Sequence, residues 1–327
     1  MVKTMAHATL KSGENMEILH VIAPEPDWTE RVLTFLQHKG PVWLDPMRVA
    51  LDSGLDDLFM SDYLGVLDSG EVVGNISTFE CAGVGILGHV FTPEEHRRKG
   101  ICSFIINVLR DDFIARGGRA MYLGTGYDTH PYHIYETIGF VGRGDSGKMT
   151  WRVEPDFDAK WFAPGPAEIR DTRWGDWPLL EALYAVEGQW QLKSFYFQQF
   201  GHTGFESQYL RLRLDMLEGN VPSTRVMQTA GGAVVGHAML AVQPLWKGKA
   251  LVLDFMIHAN FHDQASELLA AIEIPAGAKV QAFCDSRAES RMAILEAAGF
   301  QREGVFVRQM EDENHEVLDV VVYGKVA

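Results

Sequence analysis

The sequence predicts a protein of the α/β (α+β) class, with two tandem domains that each hold a mixed, largely antiparallel sheet flanked by helices. The main observation is a repeat. Gly139-Phe140 recurs as Gly299-Phe300 after 160 residues, and Val72-Val73-Gly74-Asn75 recurs as Val234-Val235-Gly236-His237 after 162 residues. The second observation is that both halves show the same order of strand and helix patterns. A shared spacing in a shared order indicates two copies of one domain.

The first copy, placed at residues 17–153, alternates strand and helix patterns. Apolar residues from position 101 follow the rhythm of a helix that stops at Gly117-Gly118. Asp68-Ser69-Gly70 is a turn signal that predicts a hairpin. The predicted elements are a strand at 17–22, helices at 28–37 and 46–58, strands at 62–67, 71–79 and 85–92, the helix from 101, a strand at 119–124, a helix at 131–138 and a pair of strands at 139–153.

The second copy, placed at residues 167–310, repeats this order. The segment 154–166 ends in Pro164-Gly165-Pro166 and predicts a linker. Residues 1–16 are expected to be a lead without regular structure, and 311–327 a tail that ends in an edge strand. The predicted elements of this copy are a strand near 168, helices at 176–186 and 205–217, strands at 224–228, 233–242 and 250–257, a helix at 262–272, a strand at 279–284, a helix at 289–298 and a strand at 305–310.

Composition and charge exclude several classes of protein. The 327 residues include 29 Lys and Arg against 44 Asp and Glu, a net charge of −15, so nucleic acid is not an expected partner. The three cysteines are widely spaced and predict no disulfide framework. No stretch approaches the roughly 18 consecutive apolar residues of a membrane span, and no signal peptide is visible. We therefore expect a cytoplasmic protein that does not associate with membranes.

The segment from Val90 to Ser103 is the most informative part of the sequence. A strand leads into a basic turn, Arg97-Arg98-Lys99-Gly100, and the turn opens a helix. Backbone N–H groups of such a turn and of the first helical residues point the same way, with the positive end of the helix dipole behind them. The segment therefore suits a diphosphate. A solvated basic turn is the alternative interpretation, although basic residues near a helix N-terminus favour a bound anion.

Two motifs carry a resemblance to a known family. Arg97-x-x-Gly100-x-Cys102 resembles the Gln/Arg-x-x-Gly-x-Gly/Ala signature of the GNAT superfamily of acyl-CoA-dependent N-acyltransferases, with Cys in place of the last small residue. Tyr135-x-x-x-Gly139-Phe140 resembles the second motif of that family. The order of predicted elements is also similar, and the resemblance covers residues 17–153. It implies acetyl-CoA as co-substrate, a catalytic first copy and two GNAT-like domains.

The resemblance also implies roles for individual residues. Val90, Phe91 and Thr92 would offer strand backbone groups to the pantetheine arm of acetyl-CoA. The family often has an Asn seven residues before the Tyr, where this sequence has Asp128 as a cofactor-binding candidate. The residues expected to surround the diphosphate are Arg97, Arg98, Lys99, Gly100, Ile101, Cys102 and Ser103.

Acyl transfer from a thioester needs a group that protonates the departing sulfur. A thiol has a pKa near ~8.5 and a tyrosine near ~10, so a tyrosine can serve as this general acid at modest cost. By its position in the second motif, Tyr135 is the predicted acid. The alternative is that Tyr135 is only a core aromatic residue of its short helix.

The general base has several candidates. Many members of the family carry a Glu four residues ahead of the Val90 position, and this sequence has Ile86 there. His89, on the strand that leads into the loop, is the predicted catalytic base. The alternatives are that His89 is a structural hydrogen-bonding residue of its strand and that deprotonation runs through ordered water. His130-x-x-His133 has a spacing seen in metal sites, but the sequence offers no third ligand and no metal is expected. The other base candidates are Glu80, Asp128, His130 and His133.

The second copy departs from the family pattern. At the 160-residue offset, the basic turn falls on Ile257 to His262, which has no Gly, Arg or Lys, and Tyr135 falls on Leu295. We therefore interpret residues 167–310 as a degenerate copy without catalysis. Its aromatic residues suggest core, an acceptor pocket wall or the contact of a homodimer. Trp43, Asp45 and Asp62 are candidates for lining the acceptor cleft of the first copy.

The sequence thus predicts an N-acetyltransferase that moves acetyl from acetyl-CoA to a small-molecule amine. Two alternatives remain. The first is an acyltransferase with another acyl donor or with a protein amine as acceptor. The second is a CoA-binding regulatory protein without turnover, which the retained Tyr135 and Arg97-x-x-Gly100 disfavour.

Overall fold

Two sheets organise the chain, one in each of two compact units. The computed structural model describes residues 1–243 and 250–327. The first unit comprises Met1–Phe157 and Arg173–Pro178, and the second comprises Asp158–Thr172 and Leu179–Ala327. Residues 244–249, which fall inside the predicted second domain, lie outside the described residues.

The first unit is built on an eight-stranded sheet in the order β1-β2-β3-β4-β5-β6-β8-β7. Neighbouring strands are antiparallel except β5 and β6, which are parallel. Its elements are β1 (Val2–Thr9), β2 (Asn15–Ile22), α1 (Thr29–Phe35), α2 (Pro41–Ser53), β3 (Phe59–Leu67), β4 (Val72–Cys81), β5 (Val84–Phe91), α3 (Ile101–Ala115), β6 (Ala120–Gly124), α4 (His130–Glu136), β7 (Val141–Arg143) and β8 (Lys148–Arg152).

The rest of the chain supplies a seven-stranded sheet in the order β16-β17-β15-β14-β13-β12-β9, together with the small hairpin β10-β11. Among its described strands, β14 and β15 are parallel neighbours and the other pairs are antiparallel. The elements are α5 (Phe157–Trp161), β9 (Ala167–Asp171), α6 (Asp176–Tyr184), β10 (Leu192–Ser194), β11 (Gln199–Phe200), α7 (Glu206–Leu217), β12 (Ser223–Thr229), β13 (Val234–Val242), β14 (Leu251–Ile257), α8 (Ala265–Ala270), β15 (Lys279–Asp285), α9 (Glu289–Ala297), β16 (Gln301–Glu311) and β17 (Val317–Val326).

The two large sheets share one topology. Without β1, the first sheet runs in the same strand order as the second, and each has its single parallel pair at the same place. In both sheets this pair is hydrogen-bonded only at its start, over residues 84–86 with 120–122 and over 251–252 with 280–281. Beyond these residues the two parallel strands diverge, which leaves an opening within each sheet.

The repeated Gly-Phe pair ends a short helix in the same way in both units. Gly139 and Gly299 have positive φ angles of 105° and 83°. The N–H of Phe140 donates to the carbonyl of Tyr135 at 3.2 Å, and the N–H of Phe300 donates to the carbonyl of Leu295 at 3.0 Å. These are Schellman caps, in which glycine adopts the left-handed conformation without a steric penalty. The repeat therefore marks a helix stop.

The other repeated glycine allows a helix to lie close to the sheet. A Cβ on Gly74 would lie 2.5 Å from a methyl group of Ile101 and 2.9 Å from one of Ile105, both on α3. A Cβ on Gly236 would lie 2.8 Å from Met227 and 3.0 Å from Leu268, which is on α8. In both units the glycine sits under the helix that follows the central parallel strand. This common packing explains why the second repeat contains glycine.

The N-terminal lead is ordered, so the expectation that residues 1–16 lack regular structure is wrong. Val2–Thr9 forms β1 and pairs with β2 along its length. Met5, Ala6 and Ala8 pack against the core of the first unit, in which α3 covers the sheet. The apolar residues of this strand are interrupted by Lys3 and His7, and its pairing shifts register between Thr4 and Ala6, so the period of the strand is hard to recognise in the sequence.

The C-terminal tail is also placed differently from the prediction. β17 is an interior strand between β16 and β15, whereas the sequence suggested an edge strand. The edge position belongs to β16, which runs over Gln301–Glu311 and is mostly exposed. Smaller differences are that α2 starts at Pro41 and includes Pro46, and that the predicted linker contains the short helix α5.

Candidate active site in the first unit

A β-bulge interrupts the strand that leads into the basic turn. Ser77 of β4 pairs with Gly88, and Asn75 pairs with Phe91, so β5 has one more residue than β4 between these pairs. His89, at the bulge, has a φ of 50°. A side-chain amide hydrogen of Asn75 bonds to the backbone carbonyl of His89 at 3.1 Å. The bulge interrupts the regular ladder between β4 and the end of β5.

The basic turn itself has an unusual backbone. Arg98 and Gly100 have φ angles of 64° and 93°, both in the left-handed region. α3 starts directly after Gly100, and no side chain caps its N-terminus. The first N–H groups of this 15-residue helix therefore have no partner within the helix and carry the positive end of its dipole. The groups on which the prediction of an anion site depends thus lie together at the start of α3, and the binding of an anion there stays a prediction.

A cavity of about 920 Å³ lies against the end of β5, the turn and α4. Its volume is in the range of sites for cofactor-sized ligands. Ten of the residues predicted to form the site share its wall. They are Val90, Phe91, Thr92, Arg97, Arg98, Gly100, Ile101, Cys102, Ser103 and Tyr135. The other residues of the wall are Lys11, Glu94, His96, His130, Pro131 and Ile134.

Tyr135 belongs to this wall and is held by the local main chain. Its side chain is buried, its ring meets Phe140 edge to face at 6.0 Å between centroids, and its carbonyl accepts the capping bond from Phe140. The last turn of α4 thus holds the main chain of Tyr135, the predicted general acid, in a defined position. Cys102 lies in the same wall, and burial raises the pKa of its thiol to about 11.

Lys99, a predicted phosphate ligand, is not among the residues that line the cavity. Its ammonium lies 3.0 Å from a carboxylate oxygen of Glu14 and 3.4 Å from Nδ1 of His96. The pKa of Glu14 is lowered by hydrogen bonds from Ser12 and from Lys99. Lys99 therefore connects the basic turn to the N-terminal hairpin.

Asp128 also lies outside the residues that line the cavity. It is exposed, has a φ of 54°, and places a carboxylate oxygen 3.1 Å from Nε2 of His133. Glu136 holds the other ring nitrogen of His133 at 2.8 Å, and the pKa of His133 is raised chiefly by that hydrogen bond. The described geometry therefore favours Asp128 as an ion-pair partner of His133.

His89, the predicted base, is buried away from the cavity wall. Its ring contacts Trp43 and Phe79 edge to face, with centroids 5.2 Å and 5.7 Å away. Burial lowers the pKa of His89 to about 3, because the apolar surroundings disfavour the charged ring. A neutral histidine with so low a pKa is a weak base. The geometry gives it a place in the bulge next to Trp43.

The other candidate residues differ in their burial and in their hydrogen-bond partners. Glu80 is buried and accepts two bonds from the guanidinium of Arg116, at 2.7 Å and 2.9 Å. His130 lies in the cavity wall. Asp62, which the sequence suggested for the acceptor cleft, is fully buried, accepts a 2.5 Å bond from the hydroxyl of Ser77, and has its pKa raised to about 7 by burial. An aspartate within an apolar strand pattern is the sequence signal for such a group.

The described residues include no group of three or more His, Cys, Asp or Glu placed to hold a metal ion. Within the same residues, no helix has the length and apolar character needed to cross a membrane.

The equivalent opening in the second unit is occupied by the chain itself. β10 packs against both diverging strands, β14 and β15. Asp254 of β14 accepts bonds from the hydroxyl of Ser194 at 2.8 Å and from the N–H of Tyr196 at 2.7 Å. Asp285, at the end of β15, accepts the N–H groups of Gln191 and Leu192. The segment 191–196 therefore bridges the two strands.

A buried arginine fastens this segment. Arg291 is fully buried, donates to the carbonyl of Leu192, and places a guanidinium nitrogen 3.6 Å from Asp254. The ring of Trp190 lies under this guanidinium and stacks on His262 at 5.4 Å. In the second unit, β14 pairs with β13 without a bulge. The loop that follows it, residues 258–264, contains no Gly, Arg or Lys.

Part of the first unit is similar in sequence to a known protein family. Residues 29–140, from α1 to the end of the Gly139-Phe140 cap, match the acetyltransferase (GNAT) family. Curated protein sequences give no match to this chain.

Three solved structures that are similar to the chain each match about half of it. A phosphinothricin acetyltransferase from Sinorhizobium meliloti in complex with AcCoA is 17% identical, with a TM-score of 0.40 over 50% of this chain and 89% of that one. A ribosomal-protein-alanine N-acetyltransferase from Brucella melitensis is 17% identical, with a TM-score of 0.38 over 49% and 99%. A putative acetyltransferase from Salmonella typhimurium with acetyl-CoA is 12% identical, with a TM-score of 0.40 over 50% and 94%.

Proposed function

We propose that the first unit, whose residues 29–140 match the acetyltransferase (GNAT) family, takes acetyl-CoA as co-substrate and acetylates the primary amine of a small molecule by direct attack. The observation that carries the proposal is the cavity that joins the end of β5, the left-handed basic turn and Tyr135 in one wall. We also propose that residues 17–153 catalyse the reaction and that residues 167–310 are a degenerate copy without catalysis. The protein would act in the cytoplasm.

The residues of the wall fit the chemical parts of acetyl-CoA. The exposed guanidinium groups of Arg97 and Arg98 and the first N–H groups of α3 suit a diphosphate. Val90, Phe91 and Thr92 supply main-chain groups where the bulge interrupts the ladder, which suits the amides of a pantetheine arm. Tyr135 stands in the same wall, on α4.

Acetyl-CoA supplies a thioester whose carbonyl carbon accepts the lone pair of the amine, while the bond from carbon to sulfur breaks. We assign to the Tyr135 hydroxyl the proton that goes to the sulfur, after which the phenol recovers a proton from solvent. The amine gives up its own proton to solvent or to an ordered water. His89 is poorly suited to take this proton, since its ring is buried and its pKa is low.

The decisive experiment compares two tyrosines of the same helix. Tyr135→Phe is expected to lower kcat by about 10²- to 10⁴-fold, the usual contribution of a general acid, and to change the Kd of acetyl-CoA little. Tyr132→Phe is the matched control, because Tyr132 is also buried on α4 but is not one of the residues that line the cavity. Turnover is read as thiol release with polyamines, aminoglycosides and amino acids, and binding as the heat of titration with acetyl-CoA.

Two results would contradict the proposal. If no amine raises thiol release above simple hydrolysis while acetyl-CoA still binds, the chain is a binding protein. If Tyr135→Phe turns over as fast as Tyr132→Phe, the acid lies elsewhere.

A further inference from the structure

The N-terminal hairpin of the first unit has no counterpart among the described residues of the second. The second sheet ends at β9, which occupies the position of β2, whereas the first sheet continues to β1. The turn between β1 and β2 is well defined. Leu10 is buried in the core, its N–H donates to the carbonyl of Glu14 at 2.8 Å, and Gly13 adopts a φ of 86°. The first unit therefore carries an extra ordered turn over residues 10–14.

This turn is attached to the basic turn by two contacts. The N–H of Lys11 donates to the carbonyl of Lys99 at 3.4 Å, and Glu14 pairs with the ammonium of Lys99 at 3.0 Å. Because Leu10 anchors one end and the pair of Glu14 with Lys99 the other, the position of Lys11 is fixed relative to the cavity. Its side chain is exposed and belongs to the wall.

Lys11 adds a cation to a part of the wall that is already positive. Arg97 and Arg98 lie in the same wall, and Arg97 donates to the carbonyl of Thr92 at 3.2 Å. Glu94 is the acidic residue of this wall. The whole chain has a net charge of −15, so three cations around one cavity mark a strongly anionic ligand.

The parts of CoA beyond the diphosphate explain why a third cation is needed. The proposed function assigns the pantetheine arm to the end of β5 and the diphosphate to the basic turn and the start of α3. CoA carries a further phosphate, the 3′-phosphate of its ribose, on the far side of the diphosphate from the thioester. A phosphate monoester holds about −1.5 to −2 charges at pH 7, and a lysine ammonium on a flexible stem suits it as a point charge.

We propose that Lys11 binds the 3′-phosphate of CoA, so that the turn between β1 and β2 is part of the co-substrate site. This inference rests on the proposed function, because it takes CoA as the ligand of the cavity. The turn then selects CoA over ligands that share the diphosphate but lack the 3′-phosphate.

The test measures the affinity of the full chain for CoA and for 3′-dephospho-CoA by calorimetry at one salt concentration. Lys11→Gln is expected to weaken CoA binding by about 5- to 10-fold, the range of a partly exposed charged hydrogen bond, and to change dephospho-CoA binding by less than about 2-fold. Lys3→Gln is the matched control, since Lys3 is an exposed lysine of β1 that is not one of the residues lining the cavity. It is expected to leave both affinities unchanged.

Three other outcomes of these titrations would contradict the inference, and one of them would also contradict the proposed function. Equal weakening of both ligands by Lys11→Gln places the lysine on the diphosphate and overturns the 3′-phosphate assignment. Tight binding of CoA that Lys11→Gln does not change overturns this inference and leaves the proposed function standing. Failure of the unsubstituted chain to bind either ligand overturns the proposed function together with this inference.

Discussion

The openings between the diverging parallel strands of the two units have the same origin and different contents. In the first unit the opening is lined by a bulge, a basic turn and the start of a long helix. In the second unit the chain segment 191–196 bridges the strands and is hydrogen-bonded to both. The topology thus provides the opening, and local residues decide whether it receives a ligand or is filled from within.

One pair of equivalent positions shows how this decision is made. The strand pairing puts Gly88 opposite Ser77 in the first unit and Asp254 opposite Met239 in the second. Glycine leaves the strand face free. Asp254 instead offers a buried carboxylate that holds the main chain of the bridging segment. A buried charge needs such partners, so the carboxylate and the segment stabilise each other.

The largest effect is expected when the number of binding sites is measured. Calorimetric titration should give one acetyl-CoA per chain, because the second unit lacks the basic turn and its opening is filled. Arg98→Glu should weaken binding by about 100-fold or more, since a like charge beside a phosphate costs several kcal/mol. Asp263→Asn, an exposed change in the equivalent loop of the second unit, should have no effect. Two binding sites in the unsubstituted chain would contradict the prediction that only the first unit binds acetyl-CoA.

A second effect concerns the stability of the filled opening. Asp254→Ala is expected to cost about 3–5 kcal/mol in the free energy of unfolding, because it leaves Arg291 buried without its carboxylate. Asp171→Ala is the control, since Asp171 forms an exposed pair with Arg225, a type worth about 0–1 kcal/mol. Urea unfolding measures both. A cost below about 1 kcal/mol for Asp254→Ala would mean that the bridging segment is held by other contacts.

The smallest expected effect is a difference in the free energy of unfolding between alanine substitutions at Gly74 and Gly236, the two glycines that lie under helices. Gly74→Ala is expected to cost about 1–3 kcal/mol, because the new methyl group meets two side chains of α3 at 2.5 Å and 2.9 Å. It should also weaken acetyl-CoA binding, since Ile101 begins the helix that lines the cavity. Gly236→Ala should cost less, because one of its neighbours is the flexible end of Met227. Urea unfolding and titration would contradict this if Gly236→Ala proved the more costly change.

Much of the fold could be predicted from the sequence because its signals are local. The hairpin around Asp68-Ser69-Gly70, the helix from Ile101 and the two Gly-Phe caps depend on residues close in the chain. Most of the expected cofactor-binding residues come from one continuous segment, and the structure gathers most of them in one wall. A strand, a turn and a helix start that follow one another in sequence are necessarily close in space.

Features that depend on distant residues could not be predicted. Lys11 lies in the cavity wall because β1 adds to the edge of the sheet. The residues near Lys11 in the sequence form no pattern that predicts this position. The bridging segment depends on Asp254, about 60 residues further along the chain. The burial of His89 depends on Trp43 and Phe79, which lie on other elements. A fixed offset also misaligned the second loop, because its length differs from that of the first.

The burial of cysteine thiols has a practical consequence for kinetics. Raised pKa values of about 11 keep Cys102 and Cys284 protonated, so near pH 8 only about one part in a thousand of each is the reactive thiolate. A chromogenic disulfide reagent added to follow the reaction would therefore consume these two side chains slowly. These two side chains would add only a slow background to the colour from the product thiol, and the half-buried Cys81 is the third thiol that a control without amine would have to measure.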